Sequence, residues 1–447
     1  MSLYNVVLGG SNMLALLGLG LILVFIVLVM MKKLWAVPAL ILVPLVFGLI
    51  GGFGAELGDM MVGGIQDTAP TAVMLGFALL FFLVMTECGL FEPLIRVILK
   101  VVGEDPVKIV VGTAILVLFI SLDGDGSTAV FVTFSAMYPI YRHIGINPLI
   151  MAVLCAIICP TMNWLPWGGP AARMATALRI DISDVVIPML PAWAITLAVG
   201  IAFAYLMGRR ERRRLKKLKA SEAAGESDGD AGEALFEPRV PTPTKNVWFN
   251  LVLTVLFLVS MALELLPLSA LAMIAFSIAV TVNWPNISVQ AEKLKPHAWT
   301  VITVIILILA AGAFTGIIND TGMVEAMAEA LVSGLPSGLG HSFSAVTSLV
   351  SFPLLFLLSN DGFYFGIVPI LAETGEAFGI PPAVIAHSVL PGIFLHTLSP
   401  LNPPLYVAAG LLRADFGTLW RFAFPWAIAI ALAATAAGIV TGAVYLF

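Results

Sequence analysis

From Met13 to Met31 not one residue carries a charge, and that run alone reaches the ~20 apolar residues with which a helix crosses a bilayer. Comparable runs recur. Read by apolar length and by breakers, they give spans near 12–31, 35–53, 71–86 and 188–207, then 247–264, 268–284, 299–317 and 420–446. Water cannot solvate so much apolar surface: 60% of the 447 residues are hydrophobic and 11% charged, against roughly 25% charged in soluble domains. The expected fold is an all-α polytopic membrane protein. Met13–Met31 lacks a basic n-region and a small-residue cleavage site, so it reads as a retained span. Cys88, Cys155 and Cys159 lie in or beside apolar runs without metal-ligand spacing and read as small buried hydrophobes.

The order of features repeats. Glu87-Cys-Gly-Leu-Phe-Glu92 registers with Asp320-Thr-Gly-Met-Val-Glu325 at an offset of 233, and Leu178-Arg-Ile-Asp181 with Leu412-Arg-Ala-Asp415 at 234. Gly145-Ile-Asn-Pro148 over Gly379-Ile-Pro-Pro382, Pro166 over Pro400 and Pro191 over Pro425 share the offset of 234. Chance matches of Gly and Leu are easy in this composition, but ordered agreement at near-constant offset is not. Residues 1–207 and 247–447 therefore read as two repeats joined by a hydrophilic, basic linker, 208–246. Amphipathic stretches at 88–101 and 320–333 read as interfacial helices.

Lys and Arg set the orientation. The basic linker belongs on the cytoplasmic side. Counting outward places both termini outside, Lys32, Lys33, Arg96, Lys100, Lys108, Lys293 and Lys295 inside, and a Glu56/Asp59/Asp67 loop outside. An odd number of spans per repeat makes the halves antiparallel, the inverted-repeat plan of many secondary transporters. Arg179 fits poorly, since it falls near the outer face.

Four polar stretches fall at the depth of the bilayer interior. Ser121-Leu-Asp-Gly-Asp-Gly-Ser-Thr128 lies between apolar arms 109–120 and 129–140, too short to span as separate helices. A re-entrant hairpin over about 107–142 fits, and Ser359-Asn-Asp-Gly362 gives its mirror copy over about 342–378. Glycines let the chain reverse, and short carboxylates supply hard oxygen ligands. Pro160-Thr-Met-Asn-Trp-Leu-Pro-Trp-Gly-Gly-Pro170 and His396-Thr-Leu-Ser-Pro-Leu-Asn-Pro-Pro404 interrupt helices over about 147–180 and 382–412. Each following half-helix then aims a positive N-terminal end at the gap, which suits a carboxylate. An unpaired intramembrane arginine costs at least about 2.5–3.5 kcal/mol, so Arg173 reads as a fork for substrate carboxylate. Plainer readings compete. The Asp123/Asp125 turn would be solvated, Asn163 and Asn402 would cap half-helices, Arg173 would snorkel, and His387 and His396 would be satisfied core residues. Trp164 and Trp167 read as packing for the broken loop.

Leu122-Asp-Gly-Asp-Gly126, Pro148-Leu-Ile150, Leu165-Pro-Trp-Gly-Gly-Pro170 with Ala172-Arg173, and the basic Gly208–Arg214 run together resemble the citrate–metal ion:proton symporter family of the ion transporter superfamily. The resemblance covers nearly the whole chain. It implies a homodimer in an inner (cytoplasmic) membrane, an elevator-like alternating-access step, and proton-driven uptake of citrate complexed with a divalent cation. That cation, of magnesium or calcium type, travels with the substrate, and no cofactor is permanently bound. A divalent cation also lowers the charge to be desolvated from that of a trianion to about −1.

On this reading Ser121, Ser127, Thr128, Asn163, Gly168, Gly169 and Arg173 bind substrate together with Ser359, Asn360, Ser399 and Asn402. Asp123, Asp125 and Asp361 are the expected metal ligands. Asp123, Asp125 and His396 are the candidates for the coupling proton, since burial beside a like charge favours a protonated carboxylate. The expected partners are the metal–citrate complex, protons, lipid and a second copy, with no nucleic acid. A sodium- or proton-coupled symporter of free di- or tricarboxylates, or a cation:proton antiporter, shares the same plan. An intramembrane aspartyl protease is disfavoured, because Leu122 stands where a Gly-x-Gly-Asp pattern needs glycine. A channel would show itself by its flux.

Overall fold

A computed structural model of the chain describes residues 2–31, 33–123, 126–222, 246–263, 265–334, 340, 342–399 and 402–446. Among them there is no strand. The first half holds α1 (Ser2–Met30), α2 (Ala36–Ile50), α3 (Leu57–Glu87), α4 (Glu92–Val102), α5 (Pro106–Ile120), α6 (Gly126–Ile144), α7 (Leu149–Met162), α8 (Gly169–Leu178), α9 (Ile182–Val186) and α10 (Leu190–Glu222). The second holds α11 (Val247–Ala262), α12 (Leu268–Asn283), α13 (Ile287–Leu294), α14 (Ala298–Asp320), α15 (Met323–Gly334), α16 (Phe343–Leu357), α17 (Val368–Ala377), α18 (Pro382–Val389), α19 (Ile393–His396), α20 (Pro403–Leu412) and α21 (Phe416–Val440).

Among the described residues, five stretches are long and apolar enough to cross a membrane: Asn12–Val29, Leu57–Glu87, Ile182–Leu218, Val301–Asp320 and Gly417–Val440. The pair α12 and α13, bent by 118°, would make a sixth. The expected spans at 35–53 and 247–264 are helical but only 15 and 16 residues long.

Three expectations change. The span expected at 71–86 is the 31-residue α3, so Asp59 and Asp67 sit on a helix rather than in a loop. The cause is a seam of small residues against α14. A Cβ on Gly64 would overlap the Gly312 carbonyl, and one on Gly316 the Met60 carbonyl. Small residues let two helix backbones approach this closely, and the packing carries α3 past its apolar stretch.

The basic run expected to open the linker is helix as far as Glu222. Three of its charged residues, Glu211, Arg212 and Arg214, are held by partners. Arg212 binds Asp105 through Nε (3.1 Å) and Nη2 (2.6 Å). Arg214 holds Glu211 and donates to the Gly145 carbonyl, while Glu211 accepts from the Asn147 amide at 3.1 Å. The guanidinium beside Asp105, itself the N-cap of α5, holds that carboxyl below its usual range. Finally, the second arm of the first hairpin is not 129–140 but the 19-residue α6, which packs on the 15-residue α5.

Equivalent positions of the halves share backbone conformation. Arg179 and Arg413 both end their helices left-handed (φ 52° and 47°), an uncommon state for a residue with a Cβ. Gly89 and Gly322 (φ 70° and 73°) match likewise, as do Gly145 and Gly379 (80° and 77°). Asp181 and Asp415 cap α9 and α21 by accepting from the amides of Ser183 and Thr418.

Candidate functional site

The first helix break is built by glycine and tryptophan. α7 carries Pro160 and ends at Met162, with Asn163 as its C-cap. The chain turns back on a Gly168 N–H to Leu165 carbonyl bond of 2.8 Å. A Cβ on Gly168 would overlap the Asn163 carbonyl, so only glycine closes this turn. Gly169 and Pro170 then open α8, proline suiting a first turn whose N–H groups have no helical partner. The indole of Trp167 donates to the Leu122 carbonyl at 2.8 Å and so fastens the break to the turn Ser121–Asp123. Its ring packs 5.2 Å from that of Phe82. Trp164 is buried against Phe394, with ring centroids 6.1 Å apart.

The second break follows the same plan with other residues. α18, a tight turn at Leu390–Gly392 and α19 lead to His396. His396 Nδ1 lies 2.8 Å from the Leu355 carbonyl. A carbonyl only accepts, so Nδ1 carries the proton and Nε2 of the neutral ring remains an acceptor. Asn402 sits at the N-cap position of α20 without capping it, and its amide donates instead to the Thr397 carbonyl at 3.0 Å. Asn163 likewise stands at the end of α7 rather than at the head of α8. Both asparagines thus stand at cap positions of half-helices, as the plainer reading supposed, but Asn402 makes no side-chain capping bond.

Both breaks, and a residue from each hairpin turn, meet at one cavity of about 330 Å³, within the usual size of a small-molecule site. Gly126 comes from the first hairpin and Asn360 from the second. Asn163, Gly169 and Arg173 come from the first break; His396, Thr397 and Asn402 from the second. The first turns of α8 and α20 both border it, so two helix N-termini bring positive potential to the same space. Arg173 supplies the full charge.

Arg173 is not unpaired. Its Nε donates to Asp361 Oδ1 at 2.8 Å, with side-chain exposures of 19% and 17%. Its Nη1 and Nη2 have no partner among the described residues. A Cβ on Gly169 would stand 2.8 Å from Nη1, so the guanidinium rests against bare backbone. Asn360 Oδ1 is buried with no hydrogen-bond partner among the described residues. Two hard oxygens thus sit on neighbouring residues at the second hairpin turn.

Of the other expected site residues, Ser359 accepts from the Gly362 amide at 3.2 Å, Ser399 is buried, and Ser121 Oγ is buried without a partner among the described residues. None of the three lines the cavity, and Gly168 shapes the turn behind it. Asp125 and the side chains of Asp123, Ser127 and Thr128 lie outside the described residues. Among those described, no three His, Cys, Asp or Glu side chains gather to hold a metal.

Sequence reasoning missed one wall. Ala152, Cys155, Ala156 and Cys159 border the cavity from α7 at i, i+3, i+4 and i+7 spacing. That single helical face of small residues was the available signal. Arg179, the residue that fitted its face poorly, pairs with Asp320 (2.8 Å) and Asp67 (3.7 Å), tying α8 to α14 and α3.

The comparisons agree with this architecture. The citrate transporter family model, CitMHS, matches residues 10–391. A citrate transporter of Bacillus subtilis (strain 168) is 43% identical over 96% of this chain and 99% of its own length. A Mg(2+)/citrate complex secondary transporter of the same organism is 41% identical over 97% and 99%. Among solved structures, the Alcanivorax borkumensis YdaH transporter, described as having an unusual topology, superposes with a TM-score of 0.57 at 17% identity, covering 87% of this chain and 89% of that one. That likeness speaks for the fold. The chain is a multi-pass membrane transporter, not an enzyme, and it belongs to the CitMHS citrate transporter family.

Proposed function

We propose that this protein is a secondary active transporter of an inner membrane that imports citrate complexed with a divalent cation, coupled to protons. The observation that carries the reading is the cavity itself. A guanidinium, two helix N-termini and Asn360 border a space of about 330 Å³, and the Asp361 carboxylate binds that guanidinium from just outside the lining, which suits a cargo that carries both carboxylate and cation. Similarity to the Bacillus subtilis Mg(2+)/citrate complex secondary transporter supports it.

The transport plan is part of the proposal. The halves, 1–207 and 247–447, are inverted repeats, and the hairpins and breaks move as an elevator-like body within a homodimer. The shared offset and matched helix ends support the repeat. The orientation, with both termini outside, rests on the basic linker, and two ion-pair groups support which positions share a face. Arg179, near the outer face, meets Asp67 and Asp320, and Lys293 meets Glu87 at 3.0 Å. Asp123, Asp125 and His396 remain the proton candidates. Of these, His396 places a basic Nε2 on a ring that borders the cavity.

Uptake of labelled citrate into proteoliposomes tests this reading. Accumulation should require Mg²⁺ or Ca²⁺ and an inward proton gradient. Uptake that is sodium-driven and indifferent to divalent cations would replace it with a symporter of free tricarboxylates. Asp123→Asn and Asp125→Asn should abolish accumulation against a gradient while leaving a folded dimer, and wild-type uptake by both would reduce that turn to a connector.

A further inference from the structure

We infer that the Arg173–Asp361 ion pair is an exchange switch that makes the two parts of the cargo depend on one another, a step that rests on the metal–citrate reading above. Arg173 lies on α8 and Asp361 at the second hairpin turn, 188 positions away. Their 2.8 Å bond joins Arg173, which borders the cavity with Asn360 and Gly169, to a carboxylate just outside that lining. Cargo that uses either charge must break or share this bond.

Free citrate does so at a loss. Its carboxylate would take Arg173 and leave Asp361 facing a trianion in a poorly solvated corner, which disfavours both charges. A free divalent cation has the mirror problem: drawn to Asp361, it leaves Arg173 unpaired beside a dication. The complex meets neither penalty. Its carboxylate takes the Arg173 fork, its cation takes Asp361, and every charge released from the original pair finds a partner. Asn360 completes the exchange, since its buried, unpartnered Oδ1 on the next residue offers the cation a second hard oxygen. The Arg173 side is prepared too. Nε alone is engaged, and the two terminal nitrogens have no partner among the described residues, so a carboxylate can dock on them before Asp361 leaves.

The pair therefore acts as a specificity device. It rejects each half of the cargo by the charge that half would strand. When closed, it is also neutral, so the carrier returns across the membrane without an uncompensated charge at this point.

Calorimetric titration of the purified protein tests it. Wild type should bind citrate with Mg²⁺ at least about 100-fold more tightly than citrate or Mg²⁺ alone. In Asp361→Asn the gap between citrate alone and citrate with Mg²⁺ should fall below about threefold, because no carboxylate must be evicted from Arg173. A wild-type gap in that variant overturns the exchange while leaving the metal–citrate reading intact. No gap in wild type removes both. Should Asp361→Asn fail to fold, the neutral double variant Arg173→Gln/Asp361→Asn decides. It should lose Mg²⁺–citrate affinity at least about 100-fold, and retained affinity would make the pair merely structural.

Discussion

Arg173 shows what a sequence tells about a residue and what it withholds. Its place one turn into a half-helix marks it as compensated, because an arginine at that depth needs a partner. That the partner is Asp361 has no local signature, since the two lie 188 positions apart. The fork itself is testable. Arg173→Lys puts one point charge where a planar donor set serves Asp361 and cargo together, and loss of a charge-assisted bond of about 1.5–3 kcal/mol predicts a roughly ten- to hundredfold fall in Mg²⁺–citrate affinity by titration. Unchanged affinity would mean that the guanidinium geometry is not used. Gly168 is the second residue whose chemistry is fixed by shape. Gly168→Ala would drive a Cβ into the Asn163 carbonyl, so transport should disappear even if the protein reaches the membrane, while wild-type uptake would show that the turn can relax. The small face of α7 was harder to read, because alanines and cysteines on an apolar helix look alike whether they pack against protein or border a cavity.

At the scale of elements, interruptions were more legible than lengths. The prolines and paired glycines of Pro160–Pro170 and the prolines around Asn402 announce broken helices, and α8 begins within the first stretch at Gly169 and α20 at Pro403. The true length of α3 was hidden because Asp59 and Asp67 look like loop residues, while the force that extends the helix is the Gly64–Gly312–Gly316 seam with α14, more than 200 positions away. Gly64→Val should cost at least ~1–3 kcal/mol through overpacking, read as a lower melting temperature in detergent; an unchanged Tm would show the seam to be loose. The basic run after Gly208 misled for a similar reason. Composition said linker, but Asp105, Gly145 and Asn147 engage Arg212, Arg214 and Glu211 and fasten its first turns as helix. Asp105 is lowered by Arg212, so this pair contributes above the unfolded carboxylate pKa of roughly 3.9 and is lost as pH falls through the lower folded value. The Tm difference between wild type and Asp105→Asn should therefore be present at pH 7, persist to about pH 4, and shrink only in stronger acid. A difference that vanishes between pH 7 and 5 would contradict that assignment.

For the whole molecule, the constant offset between halves was the strongest signal in the sequence, and the structure adds physical content to it. Left-handed helix ends at Arg179 and Arg413 and aspartate caps at Asp181 and Asp415 recur at equivalent places. What the halves do not share is the charge at the centre. Arg173 has Val407 as its counterpart, and Asp361 answers it from the opposite hairpin. The pocket is thus asymmetric in charge, with Arg173 in its wall and Asp361 bound to it from just outside the lining. A density map of the purified protein with Mg²⁺–citrate tests that claim most directly. Citrate is expected between the Arg173 fork and the first turns of α8 and α20, with the cation beside Asp361 and Asn360; cargo density anywhere outside the space bordered by Gly126, Asn163, Arg173, Asn360, His396 and Asn402 would contradict it.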